Sequence, residues 1–412
     1  MNERVQRILL IVGFVLVVGL MAFGLYWFFF RPVAEPPVVT PGVPTAPGGL
    51  PGTGVAQPPG PGEEPTEQGL PPPGVIPGAI PTLPTGVPSV ARTSIVVETP
   101  TANIAMSRTG DVRGYNQLDG KFYRYNADGT VTPLSNQVFF QVQNVAWAKN
   151  SDKAVLEYPD GSNIYYDFAT DRQVTLPQHW EQFAFSPQDD KIVTKSVGNN
   201  EDNRFLVVAN PDGTNARPVE PLGNNQDKVE VSWSPNNQVI AYSFTGEPLG
   251  FDRQQILLLG QNRENFKGLI VEGRGFVPEW SPSGANILYS VYTSENNYLP
   301  TLWFSGAQGD SVNANRRNLQ LNTWADKCAW QSETVVICGV PTRLDRGAGL
   351  QRELFSSVPD EIYKIDLAAG TKINLGVPAG NAAVKEMTIT PDGATALFTD
   401  ATTGRLIRFN LQ

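Results

Sequence analysis

One phrase returns seven times along this chain: an apolar or aromatic anchor, a Ser-Pro or its equivalent, a polar turn, then a short β-branched run. It reads AMSRTGD from Ala105, AWAKNSDKAVLEY from Ala146, AFSPQDDKIVTK from Ala184, SWSPNNQVIAY from Ser232, EWSPSGANILY from Glu279, AWQSETVVIC from Ala329 and TITPDGATALF from Thr388. The anchors Met106, Trp147, Phe185, Trp233, Trp280, Trp330 and Ile389 stand at steps of 41, 38, 48, 47, 50 and 59 residues. A unit of this length cannot bury its own apolar face, so neighbours must stack on one another. Four short strands per unit at this period is the pattern of a β-propeller blade. The third strands, among them RFLVVANPDGT, QQILLLGQN and EIYKIDLAAGT, alternate and end in turn residues as such strands do.

Counting strands sharpens the expectation. The seventh unit stops after its third strand, GRLIRFNLQ, whereas an unassigned strand, SIVVET (94–99), precedes the first unit. If that strand completes the last blade, the ring closes and no sheet edge is left to aggregate. The expected domain is therefore an all-β, seven-bladed propeller over residues 92–412. Six blades, with the Met106 unit misread, is the alternative.

The phrases WSPNNQVIAY and EWSPSGANILY, each followed by a strand and a Gly turn such as NPDGT or AAGT, resemble the TolB-type (WD40-like, PD40) propeller repeat over residues 94–412. TolB itself has six blades behind a separate domain, so the resemblance implies a fold and not a Tol-Pal role. The arrangement is also similar to membrane-anchored bacterial propellers in which a helix and a low-complexity tether precede the ring.

Residues 8–30, ILLIVGFVLVVGLMAFGLYWFFF, run 23 positions without a charge. At about 1.5 Å per residue such a helix crosses a hydrocarbon core of about 30 Å. Arg4 and Arg7 precede it, and after Arg31 the next basic residue is Arg92, so the positive-inside rule keeps residues 1–7 cytoplasmic and sends the rest across the cell membrane. The run exceeds a signal-peptide core and no A-x-A site follows, which favours an uncleaved signal anchor. The linker at 31–91 holds 18 of the 35 prolines and, from residue 32 to 91, no Lys or Arg. Proline removes backbone donors and fixes φ, so this stretch reads as a disordered, semi-rigid tether.

Composition narrows the chemistry. With 31 Lys+Arg against 40 Asp+Glu, the chain lacks the cationic surface that nucleic-acid binding draws on. His179 is the only histidine, which leaves little material for histidine metal sites or Ser/His/Asp relays, and its loop position suits an ordinary surface residue. No G-x-S-x-G elbow, GxxxxGK[ST] loop or HExxH occurs. The Asp-Gly pairs at 128, 160, 212 and 392 lack the density of a calcium loop and read as hairpin turns, so no cofactor is expected. A metal-dependent hydrolase, with calcium held in the central channel, is the alternative to a non-catalytic scaffold.

The loops from first to second strand are tight, as in SPNNQ, SPSG and TPDG. Those on the opposite face are long: VGNNEDN from Val197, TGEPLGFDR from Thr245, YTSENNYLP from Tyr292, and the segment 339–361. Long loops on a rigid scaffold are where binding resides. A protein or cell-envelope polymer is the expected partner of that face. The segment 339–361 carries Arg343, Arg346 and Arg352 among Leu344, Leu350, Leu354 and Phe355, and it either reaches a partner or packs locally. Trp180 and Trp324 fall off the anchor register, in QHWEQ and NTWADK, as either exposed contact aromatics or buried rim residues. Cys328 and Cys338 stand symmetrically about Glu333 on two successive strands, where they either form a cross-strand disulfide or remain buried thiols.

Overall fold

A computed structural model describes residues 16–21, 23, 92–126, 128–264 and 266–412. The chain divides into two compact units, residues 1–83 and 84–412. In the first, residues 16–21 and 23 are helical and exposed. The expected cytoplasmic tail at 1–7, most of the expected span at 8–30 and all of the linker at 31–91 lie outside the described residues. No helix among the described residues is long and apolar enough to cross a membrane.

The second unit is a seven-bladed propeller made of seven four-stranded antiparallel sheets. Six blades are built from consecutive strands, which fixes the count at seven and sets the six-blade alternative aside. The first strand of each blade lies innermost and packs against its neighbours around a central channel. These inner strands are Thr101–Met106, Asn144–Trp147, Trp180–Phe185, Val229–Val231, Arg274–Trp280, Cys328–Trp330 and Val384–Ile389.

The seventh blade joins the two ends of the domain. Its outermost strand, Thr93–Val97, pairs antiparallel with Leu406–Asn410, with Thr93 opposite Phe409 and Ile95 opposite Ile407. The closing strand thus begins one residue before, and ends two residues before, the expected 94–99. It satisfies what would otherwise be a bare sheet edge at Leu406–Asn410.

Packing between blades explains the anchors. Trp280 stacks on Tyr242 of the preceding blade at 5.6 Å between ring centroids, and its Nε1 donates to Ser232 Oγ there at 3.1 Å. Trp147 Nε1 likewise donates to the Asn103 carbonyl of blade 1 at 2.7 Å. One large apolar anchor per blade at one register, a ring in five of the seven, therefore ties each sheet to the one before it. In blade 7, Phe398 and Phe409 are almost wholly buried, and each such ring contributes about 1.5–3 kcal/mol.

The Asp-Gly pairs are turns. Gly161 and Gly213 have φ of +79° and +80°, and Asp160 and Asp212 accept from the backbone N–H two residues on. Only glycine takes that backbone conformation without strain. The tight-turn face is further held by contacts from blade to blade. Asp189 accepts from the N–H of Lys149 and of Asn150 at 2.9 and 2.8 Å, and Glu333 accepts from Ser283 N and Oγ at 2.6 and 2.8 Å.

Candidate functional site

The opposite face is built differently. Residues 342–359, between the second and third strands of blade 6, form its longest loop, slightly shorter than the 339–361 expected because both flanking strands extend into that range. This loop is docked on its neighbour. Gly347 N donates to Asn297 O at 2.9 Å and Gly349 N to Tyr298 O at 2.8 Å, both acceptors on the blade 5 loop. That loop in turn meets blade 4, where Asp252 Oδ2 accepts from Ser294 N at 3.0 Å and from its Oγ at 2.8 Å. Three loops from three successive blades thus form one continuous ridge. Its tips carry Leu249, Phe251, Leu350 and Leu354, which are 40, 77, 55 and 69% exposed. A ridge fixed by backbone hydrogen bonds and tipped with apolar side chains has the features of a protein-contact surface.

The residues singled out from sequence fall into distinct roles. Trp324 and Trp180 are buried, at 4 and 5% exposure, so neither is an exposed contact aromatic. Trp180 begins the inner strand of blade 3, where it packs with Leu176, Phe183 and Phe205. The Trp324 ring is covered by Arg352, whose guanidinium lies 5.1 Å from its centroid, and by Lys327. Arg352 also pairs with Asp326 at 2.7 Å, so its side chain fastens the long loop to the ring. Arg343 and Arg346 are exposed and form no ion pair among the described residues. His179 is exposed in its loop, and its carbonyl accepts from Val197 N. Cys328 and Cys338 lie directly opposite one another in adjacent strands and are bonded in the structure.

Sequence reasoning named a central channel but none of the residues that line it. Three residues before each anchor stand Asn103, Asn144, Gln182, Glu230, Val277, Lys327 and Glu386, of which Asn103, Asn144, Gln182, Glu230 and Glu386 line the channel cavities, while Lys327 lies in the turn before its strand and is buried. The signal was in the sequence, visible once the anchors are aligned. Asn103 and Gln182 take left-handed φ of +54° at β-bulges, which turns the strand and frees backbone N–H groups toward the preceding blade of the ring. Glu386 Oε2 accepts from Ile104 N at 2.9 Å and Glu157 Oε2 from Gln182 N at 3.1 Å.

Two cavities occupy the channel, of about 660 and 430 Å³, and their walls share Ser232 and Pro278. The larger holds Glu279, pushed up to about 8 by desolvation and then by the nearby Asp326. Desolvation also raises Glu157 and Glu230 in the smaller, with Lys195 opposing it in both. Glu230 is exposed and Glu279 half-buried. No three His, Cys, Asp or Glu side chains among the described residues are gathered as a metal site.

No protein-family model and no curated protein matches the sequence. Among solved structures the chain is similar to the β-propeller domain of Cps50 (Swd1) from Myceliophteria thermophila, with 11% identity, TM-score 0.53, and coverage of 78% of this chain and 100% of that one. An oligogalacturonate lyase in complex with manganese matches with 14% identity and TM-score 0.54, covering 78% of this chain and 93% of that one. An oligogalacturonate lyase from Vibrio parahaemolyticus matches with 9% identity and TM-score 0.52 over the same shares. At these identities the likeness is one of fold.

Proposed function

We propose that this chain is a single-pass, membrane-anchored extracytoplasmic propeller that binds a protein or a cell-envelope polymer through its long-loop face. The observation that carries the reading is the interlocked ridge of blades 4, 5 and 6 with Leu249, Phe251, Leu350 and Leu354 at its tips. The charge-free run at 8–30, the flanking arginines and the proline-rich linker at 31–91 support the anchor, the tether and a cytoplasmic N-terminus. The TolB-type character of the repeat belongs to the same reading and rests on the WSPNNQVIAY and EWSPSGANILY phrases. Arg343 and Arg346 supply exposed cations beside the apolar tips, suited to an acidic partner surface. Trp324 and Arg352 support that surface from below, whereas Trp180 packs within blade 3, away from the ridge.

The metal-dependent alternative draws on the manganese named for one lyase, which is that protein's own ion. The channel here offers carboxyls, yet among the described residues they do not converge in a metal-binding group.

Photo-crosslinking in the native membrane tests the reading. With a crosslinker at position 251 or 354 of the full chain, one discrete adduct is expected, and it disappears when Phe251→Asp and Leu350→Asp are combined. These positions are exposed, so stability should move by no more than about 0.5 kcal/mol. Adducts from the tight-turn face but none from the ridge would overturn it.

A further inference from the structure

A separate cleft, of about 790 Å³, opens beside the ridge where blades 4 and 5 meet. That is toward the upper end of the roughly 300–1,000 Å³ of small-ligand sites. Its walls are the two loops the ridge joins, with Phe251 and Arg253 from blade 4 and residues 293–296 from blade 5. The bonds from Ser294 to Asp252 pin these walls together, so neither moves without the other. Trp303, on the third strand of blade 5, and Asn318, on its outermost strand, line the cleft between them.

Two aromatic rings are set in this cleft, each backed on one face by the protein. Trp303 is half-buried and stacks on Tyr289, at 6.3 Å between centroids and 11° between planes. The Arg274 guanidinium lies 4.9 Å from the centroid of Phe251, whose ring is otherwise 77% exposed. Backing of this kind fixes a ring's orientation without using up its second face. Beside the rings stand planar polar groups with unfilled positions among the described residues. Glu272 Oε1 meets Arg253 Nε at 3.3 Å and Arg316 Nη2 at 2.7 Å, which leaves Glu272 Oε2 and the Arg253 Nη atoms open. Asn318 Oδ1 accepts from Gln320 N, and its Nδ2 has no acceptor. Formal charge cancels here, with Arg253, Arg274 and Arg316 against Asp252, Glu272 and Glu295.

From this geometry we infer that the cleft between blades 4 and 5 binds a neutral oligosaccharide, with sugar rings stacked on Trp303 and Phe251 and their hydroxyls met by Arg253, Glu272 and Asn318. A pyranose pairs a flat, C–H-rich face with a rim of hydroxyls, each both donor and acceptor. Its complement is an aromatic face bordered by unfilled donors and acceptors, which is what this cleft presents. Balanced charge gives a phosphate backbone or a strongly acidic chain no advantage. Of the four ridge tips, Phe251 lines the cleft and Leu249, Leu350 and Leu354 do not, so the apolar surface suited to a protein lies mostly elsewhere. The inference rests on the reading that the long-loop face is the binding face, and it gives the polymer a place on it.

Calorimetric titration of the full chain in lipid nanodiscs with chitotetraose, cellotetraose and maltotetraose tests the inference. At least one should bind with Kd below about 1 mM, changing by less than about twofold between about 50 and 500 mM salt. Binding should perturb tryptophan fluorescence, and Trp303→Phe should abolish that signal while keeping an aromatic ring against Tyr289. Combining Arg253→Ala with Asn318→Ala should weaken the sugar by about tenfold or more. Both positions are exposed, so this variant should melt like the parent. It should also keep the crosslinked adduct at position 354, whereas Leu350→Asp should leave sugar binding intact. Sugar binding without a ridge adduct would support the inference and count against a protein partner. A ridge adduct without sugar binding would overturn the inference and leave the ridge reading standing. The inference is equally overturned if none of the three sugars gives heat at about 10 mM, if the double alanine variant binds unchanged, or if affinity collapses with salt.

Discussion

Lys327 and Asp360 meet where water scarcely reaches, at 3 and 0% side-chain exposure, with Nζ 3.0 and 2.7 Å from the two carboxylate oxygens. Asp360 Oδ2 also accepts from Val384 N at 2.6 Å, so the pair fastens blade 6 to the inner strand of blade 7. Desolvation pushes the Asp360 carboxyl up, and Lys327 offsets it. Lys327→Met should cost about 3–5 kcal/mol in urea unfolding, because it strands a buried carboxylate. Adding Asp360→Asn should recover part of that loss. Glu279 gives a pH signature. Its folded pKa near 8 lies above the usual 4.5, so the stability it contributes is complete below about pH 4.5 and is lost as pH rises through 8. At about 1.4 kcal/mol per unit, reduced by channel water, the loss should reach about 2–3 kcal/mol. Glu279→Gln should flatten that fall in unfolding free energy between pH 5 and 9, and a parent protein with equal stability at both would count against it. Residue roles were the least legible part of the sequence. An off-register tryptophan looks alike whether it tips a loop or fills a rim, and only the third dimension put Arg352 over Trp324.

At the scale of elements, the closing strand was legible because it was one too many at the front where one was missing at the back. Its bonding is complete enough to carry a prediction. Removing residues 1–98 from the chain should leave Leu406–Asn410 with an open edge, lower the melting temperature by about 10 °C or more, and produce higher-order species in size-exclusion chromatography. A truncated protein that stays monomeric and melts normally would mean that blade 7 is stable with three strands. Loops followed a different logic. Their lengths marked the binding face, but nothing in TGEPLGFDR or YTSENNYLP announces that Asp252 reaches Ser294 or that Gly347 reaches Asn297. Such contacts join loops more than forty positions apart, beyond any local pattern. The polar channel was hidden for a related reason. At the register three before the anchor its residues occur as single exceptions in five of the seven blades, and they come together only when the strands converge.

For the whole molecule, the anchor period was enough to read the fold, since packing one large apolar anchor per blade against the sheet before it leaves few other solutions. The two faces then diverge. Side chains gripping adjacent turns hold one of them, and long interlinked loops hold the other. One feature of the ring governs how it is made. Because Thr93 must wait for Phe409, the earliest strand of the domain to leave the ribosome has no partner until nearly the last residue is synthesised. At about 5–20 residues per second this is a delay of tens of seconds. During that interval six blades can form in sequence while the first strand stays unpaired, and the final event of folding is a long-range closure. A nascent propeller of this kind is a lockwasher before it is a ring, and its most vulnerable surface exists only while the chain is young.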